Sequence, residues 1–250
     1  MPVGARGARS PTKWNTTRCV EPEWLDALRP DDPRAVQSRR DLMRVNACML
    51  QSAIMARALI THSAGQKPRT LLDLGTGDGT FMLRVARRLA SRWSDVTVVL
   101  LDRQDIVSAE TRRNFRALQW NIETIAADVF DFLEHMTPPQ VDVIVANLFL
   151  HHFSRDPLER LLALAAKRAG LFVACEPRRA ALALTASRLL WIIGCNDVSR
   201  HDAVVSVRAG FNGSELSGSW PKGDRWKLHE QPAMLFSHCF VACRGDSATP

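Results

Sequence analysis

A glycine-rich segment flanked by acidic residues is the first feature of this sequence that could bind a ligand. It reads Asp-Leu-Gly-Thr-Gly-Asp-Gly, follows a short apolar run and precedes a segment with helical periodicity. Glycines let the backbone turn tightly and approach a ligand, and a helix N-terminus presents unpaired N–H groups to it. The candidate binding positions in this segment are Asp73, Gly75, Thr76, Gly77 and Gly79.

A further acidic residue, Asp102, ends the next apolar run. This spacing suits a fold in which an acid binds the two hydroxyls of a ribose. The glycines follow the pattern Gly-x-Gly-x-Gly, whereas nicotinamide and flavin enzymes carry Gly-x-Gly-x-x-Gly. The segment therefore predicts a ribose-containing ligand, with a glycine pattern that differs from that of those enzymes.

Two adjacent histidines, His151 and His152, follow the apolar run Leu-Phe-Leu. An imidazole with a pKa near neutrality suits the removal of one proton from a hydroxyl group. The other interpretation is that His151 caps a strand end through hydrogen bonds and only shapes a pocket. Apolar residues beside the imidazoles favour a flat aromatic ligand over a phosphate backbone.

Short apolar runs and helical segments alternate five times along the chain. Continuous apolar runs of this kind are typical of parallel strands covered by helices on both faces. The predicted strands cover 70–74, 96–101, 122–126, 141–146 and 171–175, and two late strands cover 226–230 and 234–244 with a turn at 231–232. The sequence thus predicts an α/β fold with a seven-stranded, mostly parallel sheet.

The chain divides into three predicted parts. Residues 1–33 form a flexible N-terminal segment, of which Trp24 and Leu25 are expected to dock onto the rest. Residues 34–66 form an N-terminal helical cap, with one helix from about residue 38 to residue 60. Residues 67–250 form the domain that carries the ligand site.

Residues 69–177 resemble the class I S-adenosylmethionine-dependent methyltransferases, a family with a Rossmann-like fold. The resemblance rests on the glycine segment and on the residues at four successive strand ends. It implies that the segment 73–79 holds the methionine portion of S-adenosyl-L-methionine and that Asp102, with Arg103 beside it, takes the ribose hydroxyls. It also implies that Asp128 and Val129 border the adenine, and that Asn147 faces the sulfonium and the acceptor.

The segment from Asn147 to Pro157 resembles the Leu-His-x-Phe/Trp-x-x-Asp segment of small-molecule methyltransferases. In many O-methyltransferases that act on phenols, a histidine at the position of His151 is the general base. Two further segments, 39–46 and 196–211, resemble a bacterial group of natural-product methyltransferases. The resemblance implies methylation of a hydroxyl on an aromatic or polyketide-like metabolite.

Other functions stay open at this point. The main alternative is C- or N-methylation of a small metabolite, followed by methylation of RNA or protein, and by a cofactor-binding regulatory protein without activity. Arg200, His201 and Asp202 either line the acceptor side or form a solvated loop that caps a helix. Measuring turnover with a panel of acceptors would distinguish these functions.

The resemblance also argues against two branches of the family. Nucleic-acid amino-methyltransferases carry prolines after the fourth strand, where this chain reads Asn-Leu-Phe-Leu. Metal-dependent catechol-type enzymes carry carboxylates at the fourth strand end, where this chain has Asn147. No metal is therefore expected, although His151, His152 and Glu176 could approach one another.

Composition narrows the remaining classes. Hydrophobic residues make up 46% and charged residues 24%, the balance of a globular protein. The net charge of +7 comes mainly from scattered arginines, which does not predict a nucleic-acid partner. No apolar run reaches the length of a membrane span, and no signal peptide is recognisable, which predicts a cytoplasmic protein without a membrane partner. The six cysteines are widely spaced, as expected of reduced thiols. A homodimer is a further possibility that the sequence does not decide.

Overall fold

One seven-stranded sheet forms the centre of the computed structural model, which describes residues 17–29, 31–63, 65–137 and 140–245. The strands lie in the order β3-β2-β1-β4-β5-β7-β6. Their bounds are β1 Thr70–Leu74, β2 Thr97–Asp102, β3 Asn121–Ala126, β4 Val141–Asn147, β5 Ala169–Pro177, β6 Trp226–Ala233 and β7 Ser237–Arg244. The Rossmann-like fold and the mostly parallel seven-stranded sheet predicted from the sequence are confirmed.

Strands β1 to β5 are parallel, while β7 runs antiparallel to both β5 and β6. In the register of the sheet, Leu74 at the end of β1 lies beside Leu101 of β2 and Ala146 of β4. The residues that follow these three positions therefore meet at one edge of the sheet. This edge collects most of the predicted site residues.

Helices cover both faces of the sheet. Their bounds are α1 Trp24–Ala27, α2 Pro33–Cys48, α3 Gln51–His62, α4 Thr80–Leu89, α5 Ala109–Ala117, α6 Val129–His135, α7 Arg155–Arg168, α8 Ala181–Arg188, α9 Asp197–Ala209 and α10 Glu215–Ser219, with 3-10 turns at Leu150–His152 and Leu190–Ile193. Neighbouring strand residues point to opposite faces. Leu71 accordingly joins the core beneath α3 and α4, and Leu72 joins the core beneath α6 and α7.

Two local predictions are wrong. The single helix expected at 38–60 is two helices, because Leu50 adopts a left-handed conformation with φ of 55° between α2 and α3. The apolar periodicity continues through this position, so the sequence pattern does not reveal the break. The late hairpin turns after Ala233 rather than at 231–232, because β6 continues through Pro232.

The helical cap is joined to the domain by a buried carboxylate. Asp41 of α2 is fully buried and accepts hydrogen bonds from the backbone N of Asn196 (2.9 Å) and from the hydroxyl of Ser199 (3.0 Å). Both partners belong to the start of α9. A buried carboxylate needs such donors because an unpaired charge is costly away from water.

The N-terminal segment expected to be flexible at 1–33 contacts the rest of the chain through several residues from Arg18 onward, and the division into three parts stays a prediction. Residues 1–16 of that segment lie outside the described residues. The expected docking of Trp24 and Leu25 is observed, since their backbone N–H groups donate to the carboxylate of Asp202 at 2.8 and 3.0 Å. Within the described ranges, no helix is long and apolar enough to span a membrane.

Candidate active site

The glycine loop follows β1 and depends on three backbone positions with left-handed φ angles. Gly75, Gly77 and Gly79 have φ of 69°, 58° and 74°. A Cβ at Gly75 would lie 2.2 Å from Cδ2 of Phe149, and one at Gly79 would lie 2.9 Å from Cδ1 of Leu100. A Cβ at Gly77 would have no atom within 4 Å. Gly75 and Gly79 therefore permit close packing, whereas Gly77 faces open space.

Asp73 and Thr76 form a buried pair at the base of this loop. The Thr76 hydroxyl donates a 2.7 Å hydrogen bond to Oδ2 of Asp73, whose side chain is almost fully buried. Burial raises the pKa of Asp73 to about 7; the Thr76 hydrogen bond opposes this and the charge of Asp102 adds to it. Asp73 therefore ionises near neutral pH.

Asp102 holds the loop against the end of β2. Its Oδ2 accepts the backbone N–H of Gly77 at 2.9 Å, and its Oδ1 accepts the backbone N–H of Gln104 at 3.1 Å. The carboxylate predicted to bind ribose hydroxyls thus also fixes the conformation of the loop.

The two residues predicted at the adenine lie at the end of β3. Asp128 accepts the backbone N–H of Phe130 at 2.8 Å and is the N-cap of α6, while Val129 is buried behind it. Arg103 lies 3.7 Å from Asp128 in an exposed ion pair. Arg103 thus pairs with Asp128 at this edge, and its contact with the cofactor stays a prediction.

Asn147 ends β4 at the same edge. Its Oδ1 is buried and has no hydrogen-bond partner within the described ranges. An orphaned buried acceptor is costly unless a ligand or water supplies a donor. The open space at Gly77 and this acceptor fit a bound cofactor between β1, β2 and β4.

The two histidines lie on the 3-10 turn directly after β4. His151 is buried, and its Nδ1 lies 2.8 Å from Oε2 of Glu176. Glu176 is fully buried at the end of β5 and also accepts the backbone N–H groups of Phe149 (3.0 Å), Leu150 (2.9 Å) and His151 (3.3 Å). This single carboxylate fixes both the turn and the orientation of the His151 ring.

Glu23 completes the cluster, and sequence reasoning missed it. Its Oε1 lies 3.3 Å from Nε2 of His151, and its Oε2 lies 3.4 Å from Nε2 of His152. The hydroxyl of Ser206 on α9 donates to Glu23 Oε1. The segment shows little periodicity, and Glu23 and His151 are 128 positions apart, so no local pattern pairs them.

Two groups of contacts hold the segment that carries Glu23. Arg18 donates from Nη2 to the carbonyl oxygen of Phe153 at 3.0 Å and from Nε to that of Ala209 at 2.8 Å. On the other side of Glu23, the Asp202 carboxylate caps α1, and the His201 ring stacks on Trp24 at 3.9 Å between centroids. His201 and Asp202 belong to α9 rather than to a loop, and they support the Glu23 segment.

The electrostatics of the cluster affect the role of His151. Burial alone would lower the pKa of His151, but hydrogen bonds and charges from Glu176 and Glu23 outweigh burial and raise it to about 9. Burial likewise opposes ionisation of Glu23, but its interactions with the two histidines dominate and lower its pKa well below the usual range. With both ring nitrogens held by carboxylates, His151 is protonated at neutral pH and cannot accept a second proton. This arrangement disagrees with the simple general-base role expected of His151.

Comparison with known proteins agrees with the fold and the cofactor loop. Residues 71–169 match a family model described as a methyltransferase domain. No curated protein sequence matches the chain. Among solved structures, an O-methyltransferase family protein from Burkholderia thailandensis has 18% identity and a TM-score of 0.57, over 88% of this chain and 64% of that one. The plantazolicin methyltransferase BpumL, in complex with a triazolic desmethylPZN analog and SAH, has 13% identity and a TM-score of 0.59, over 86% of this chain and 92% of that one.

The family match, the sheet order and the glycine loop together define the fold of a class I methyltransferase domain. Residues 71–169 carry a methyltransferase domain of the class I S-adenosylmethionine-dependent type, and S-adenosyl-L-methionine is the cofactor of that domain. The chain spans 64% of the length of the Burkholderia structure. At identities of 18% and 13%, the two similarities show a shared fold and nothing more.

Cofactor affinity is expected to increase as Asp73 ionises. The methionine part of the cofactor carries an ammonium group, which favours a carboxylate over a carboxylic acid in the loop. Since the pKa of Asp73 is about 7, S-adenosylhomocysteine should bind more tightly as the pH rises from about 6 to about 8. Calorimetry at several pH values measures this. Asp73→Asn keeps an acceptor for Thr76 and should remove the pH dependence; an unaltered dependence in this variant would contradict the assignment.

Asp73 also makes the free energy of unfolding depend on pH. The folded-state pKa of Asp73 is raised, so the cofactor-free native state binds a proton that the unfolded chain has already released. The free energy of unfolding should therefore decrease as the pH rises from about 4 to about 7. Urea titrations of the wild type and Asp73→Asn across this range would measure the difference.

Proposed function

We propose that this enzyme transfers a methyl group from S-adenosyl-L-methionine to a hydroxyl of a small aromatic or polyketide-like metabolite. The observation that carries the proposal is the position of His151 and His152, which directly follow β4 beside the cofactor loop. Phe149 contacts both this loop and the histidines, since its ring would clash with a Cβ at Gly75 and lies 6.4 Å from the His152 ring. The proposal therefore places the acceptor between these groups.

The surroundings of the histidines favour a flat, uncharged acceptor. Phe149 and Phe153 pack edge to face with their centroids 5.1 Å apart, and Phe153 packs edge to face with Phe130 at 5.6 Å. Aromatic edges and faces of this kind bind planar rings. A phosphate backbone would require cations instead, and the charged side chains that contact the imidazole nitrogens are the carboxylates of Glu23 and Glu176.

The protein's own contribution is to position the reactants and to handle one proton. S-adenosyl-L-methionine would supply the methyl group: the acceptor oxygen bonds to the methyl carbon, the electrons of the broken carbon–sulfur bond stay on sulfur, and the hydroxyl proton passes to solvent water. Asp102 fixes the cofactor loop. Glu176 orients His151, and we place the acceptor hydroxyl against the imidazoles of His151 and His152.

A cytoplasmic location and a role in secondary metabolism belong to this proposal as well. The five cysteines whose side chains the structure describes are all free, which is consistent with a reducing compartment. The homodimer stays a prediction from the sequence.

The proposed function is tested by screening acceptors with a cofactor labelled in its methyl group. The purified enzyme is expected to label a subset of a panel of phenols and hydroxylated polyketide analogues, and mass spectrometry would locate the methyl group on oxygen. Bulk RNA and an unrelated protein serve as parallel acceptors. Labelling of RNA in a salt-sensitive manner, with no labelling of phenols, would reject the small-molecule proposal. Methyl groups found on carbon or nitrogen would replace O-methylation by the alternative chemistry.

A further inference from the structure

Three side chains present metal-ligand atoms to one another at the end of β4. Nε2 of His151, Nε2 of His152 and a carboxylate oxygen of Glu23 all lie within 4.8 Å of one another. The two histidine nitrogens are 3.3 and 3.4 Å from the nearer Glu23 oxygen. Ligand atoms about 2.1 Å from one tetrahedral zinc ion lie about 3.4 Å apart. The two nitrogen–oxygen distances, one to Oε1 and one to Oε2 of Glu23, match the separation of ligands around a single ion.

The remaining ring nitrogens are held as they are in metal-binding histidines. Nδ1 of His151 lies 2.8 Å from the Glu176 carboxylate, and Nδ1 of His152 lies 3.0 Å from the carbonyl oxygen of Phe149. An acceptor at Nδ1 places a proton there and leaves Nε2 to bind a cation, which is the usual arrangement around a histidine-bound metal. Both Nε2 atoms face Glu23.

One atom of the cluster lacks a hydrogen bond. Nε2 of His152 is buried and has no hydrogen-bond partner in the parts of the chain that the structure describes. A buried polar atom without a partner is costly unless a ligand, an ion or water supplies one. A cation between Glu23, His151 and His152 would satisfy this atom and both other ligands together, and it would take the place of the proton on His151 Nε2.

We propose that Glu23, His151 and His152 bind one divalent transition-metal ion, with zinc as the expected ion. Two imidazole nitrogens and one carboxylate oxygen form a donor set that suits zinc, and Glu176 supports His151 from behind. Three protein ligands leave a fourth position open, as in catalytic zinc sites. This inference rests on the proposed function for the identity of the fourth ligand, which is the acceptor hydroxyl. The sequence predicts a site without a metal, and it indicates Glu176 as the carboxylate that could approach the two histidines. The proposal differs on both points, since it includes a metal and Glu23 is the ligand.

The ion gives the hydroxyl proton a route out of the site. A hydroxyl bound to a zinc ion ionises at a lower pH than a free one, because the cation stabilises the oxyanion. The proton passes to solvent water, and the oxygen keeps the electron pair with which it bonds to the methyl carbon. The electrons of the broken carbon–sulfur bond remain on sulfur. No oxidant or reductant is needed.

Metal binding is measured on the full chain after any affinity tag has been cleaved and the protein has been dialysed against a chelator. Zinc content by mass spectrometry should return to one ion per chain after zinc is added back. Cobalt(II) should give the visible absorption bands of a low-symmetry site with nitrogen ligands. Glu23→Gln and His152→Ala should each weaken zinc binding by more than about 100-fold, and Glu176→Gln by about 10- to 100-fold.

Two variants serve as matched controls. Glu21→Gln changes an exposed glutamate on the same segment, and His135→Ala changes an exposed histidine at the end of α6. Both should bind zinc as the wild type does. Zinc binding below one ion per chain, or equal in the wild type, Glu23→Gln and His152→Ala, would overturn the proposal.

The outcome separates the metal from the proposed function. Full phenol methylation by a chelator-treated protein that binds no zinc would reject the metal and retain O-methylation. Zinc binding that depends on Glu23 and His152, without methylation of any hydroxyl, would retain the metal and reject the proposed reaction.

Discussion

Replacement of His151 by asparagine is expected to lower kcat by about 10²- to 10⁴-fold with the acceptor identified in the panel. An asparagine amide can still donate to Glu176 in place of Nδ1, so the turn after β4 should keep its shape. The side chain no longer reaches Glu23 or the acceptor hydroxyl. Because the loss arises at the reacting oxygen, kcat and kcat/KM should fall together.

The affinity for S-adenosylhomocysteine is the control that separates chemistry from cofactor binding. The cofactor loop is fixed by Asp102 and Thr76 rather than by His151, so calorimetry should give the wild-type dissociation constant for His151→Asn. His152→Ala should lose less activity, since its ring is 28% exposed and has no side-chain partner behind it comparable to Glu176. Near-normal rates in both variants at neutral pH would mean that neither imidazole contacts the reacting hydroxyl and that catalysis is proximity alone.

The strands could be predicted because burial on both faces selects a simple pattern. Three of the five residues at 70–74 are buried leucines, and β1 has the bounds predicted from them. The ends of the parallel strands then bring Asp73, Asp102 and Asn147 to one edge without further information. These positions follow from local pattern plus the general geometry of a parallel sheet.

The acceptor side could not be predicted in the same way. Glu23 reaches His151 because distant contacts hold its segment: Arg18 binds the carbonyl oxygens of Phe153 and Ala209, and Asp202 caps α1 across 178 positions of sequence. Asp202 itself is placed by α9, whose start is fixed to α2 by Asp41. Each of these contacts joins segments distant in the chain, and none produces a period in hydrophobicity. Pairing of charged residues across such distances depends on the completed fold, so the sequence pattern indicated two histidines but not their carboxylates.

The break at Leu50 has a similar cause. A residue with positive φ is usually glycine or asparagine, and the chain carries leucine there. Tertiary contacts override the local preference at this position, since α3 packs against α4 and α2 against α9. Periodicity alone therefore predicted one helix where the fold requires two.

Replacement of Gly77 by valine is expected to abolish cofactor binding. Gly77 has φ of 58°, and a Cβ there would point into space free of protein atoms within 4 Å. The family resemblance implies that the ligand approaches the loop through that space, so a branched side chain is expected to block it. The strain of a β-branched residue at positive φ adds to the effect and must be separated from it.

Gly213→Val provides that separation. Gly213 has φ of 61°, and a Cβ at this position would likewise have no atom within 4 Å, but the residue lies in an exposed turn before α10. Both valine variants should lose similar stability in thermal unfolding, while only Gly77→Val should lose binding of S-adenosylhomocysteine. Equal affinity in the two variants would place the cofactor away from Gly77.

Substitutions of Asp102 test the same cofactor site through partial losses of affinity. Asp102→Ala removes the acceptor for the Gly77 N–H and the carboxylate that the family resemblance assigns to the ribose, and should weaken cofactor binding by roughly 2–3 kcal/mol, or about 30- to 150-fold. Asp102→Asn can keep the Gly77 hydrogen bond through its amide oxygen and should lose less. Asp105→Ala, which removes an exposed carboxylate three residues further on that pairs with Arg112, should bind the cofactor as the wild type does. Equal losses in Asp102→Asn and Asp102→Ala would assign the effect to the charge of Asp102, whereas a loss confined to Asp102→Ala would assign it to the hydrogen bond that holds the loop.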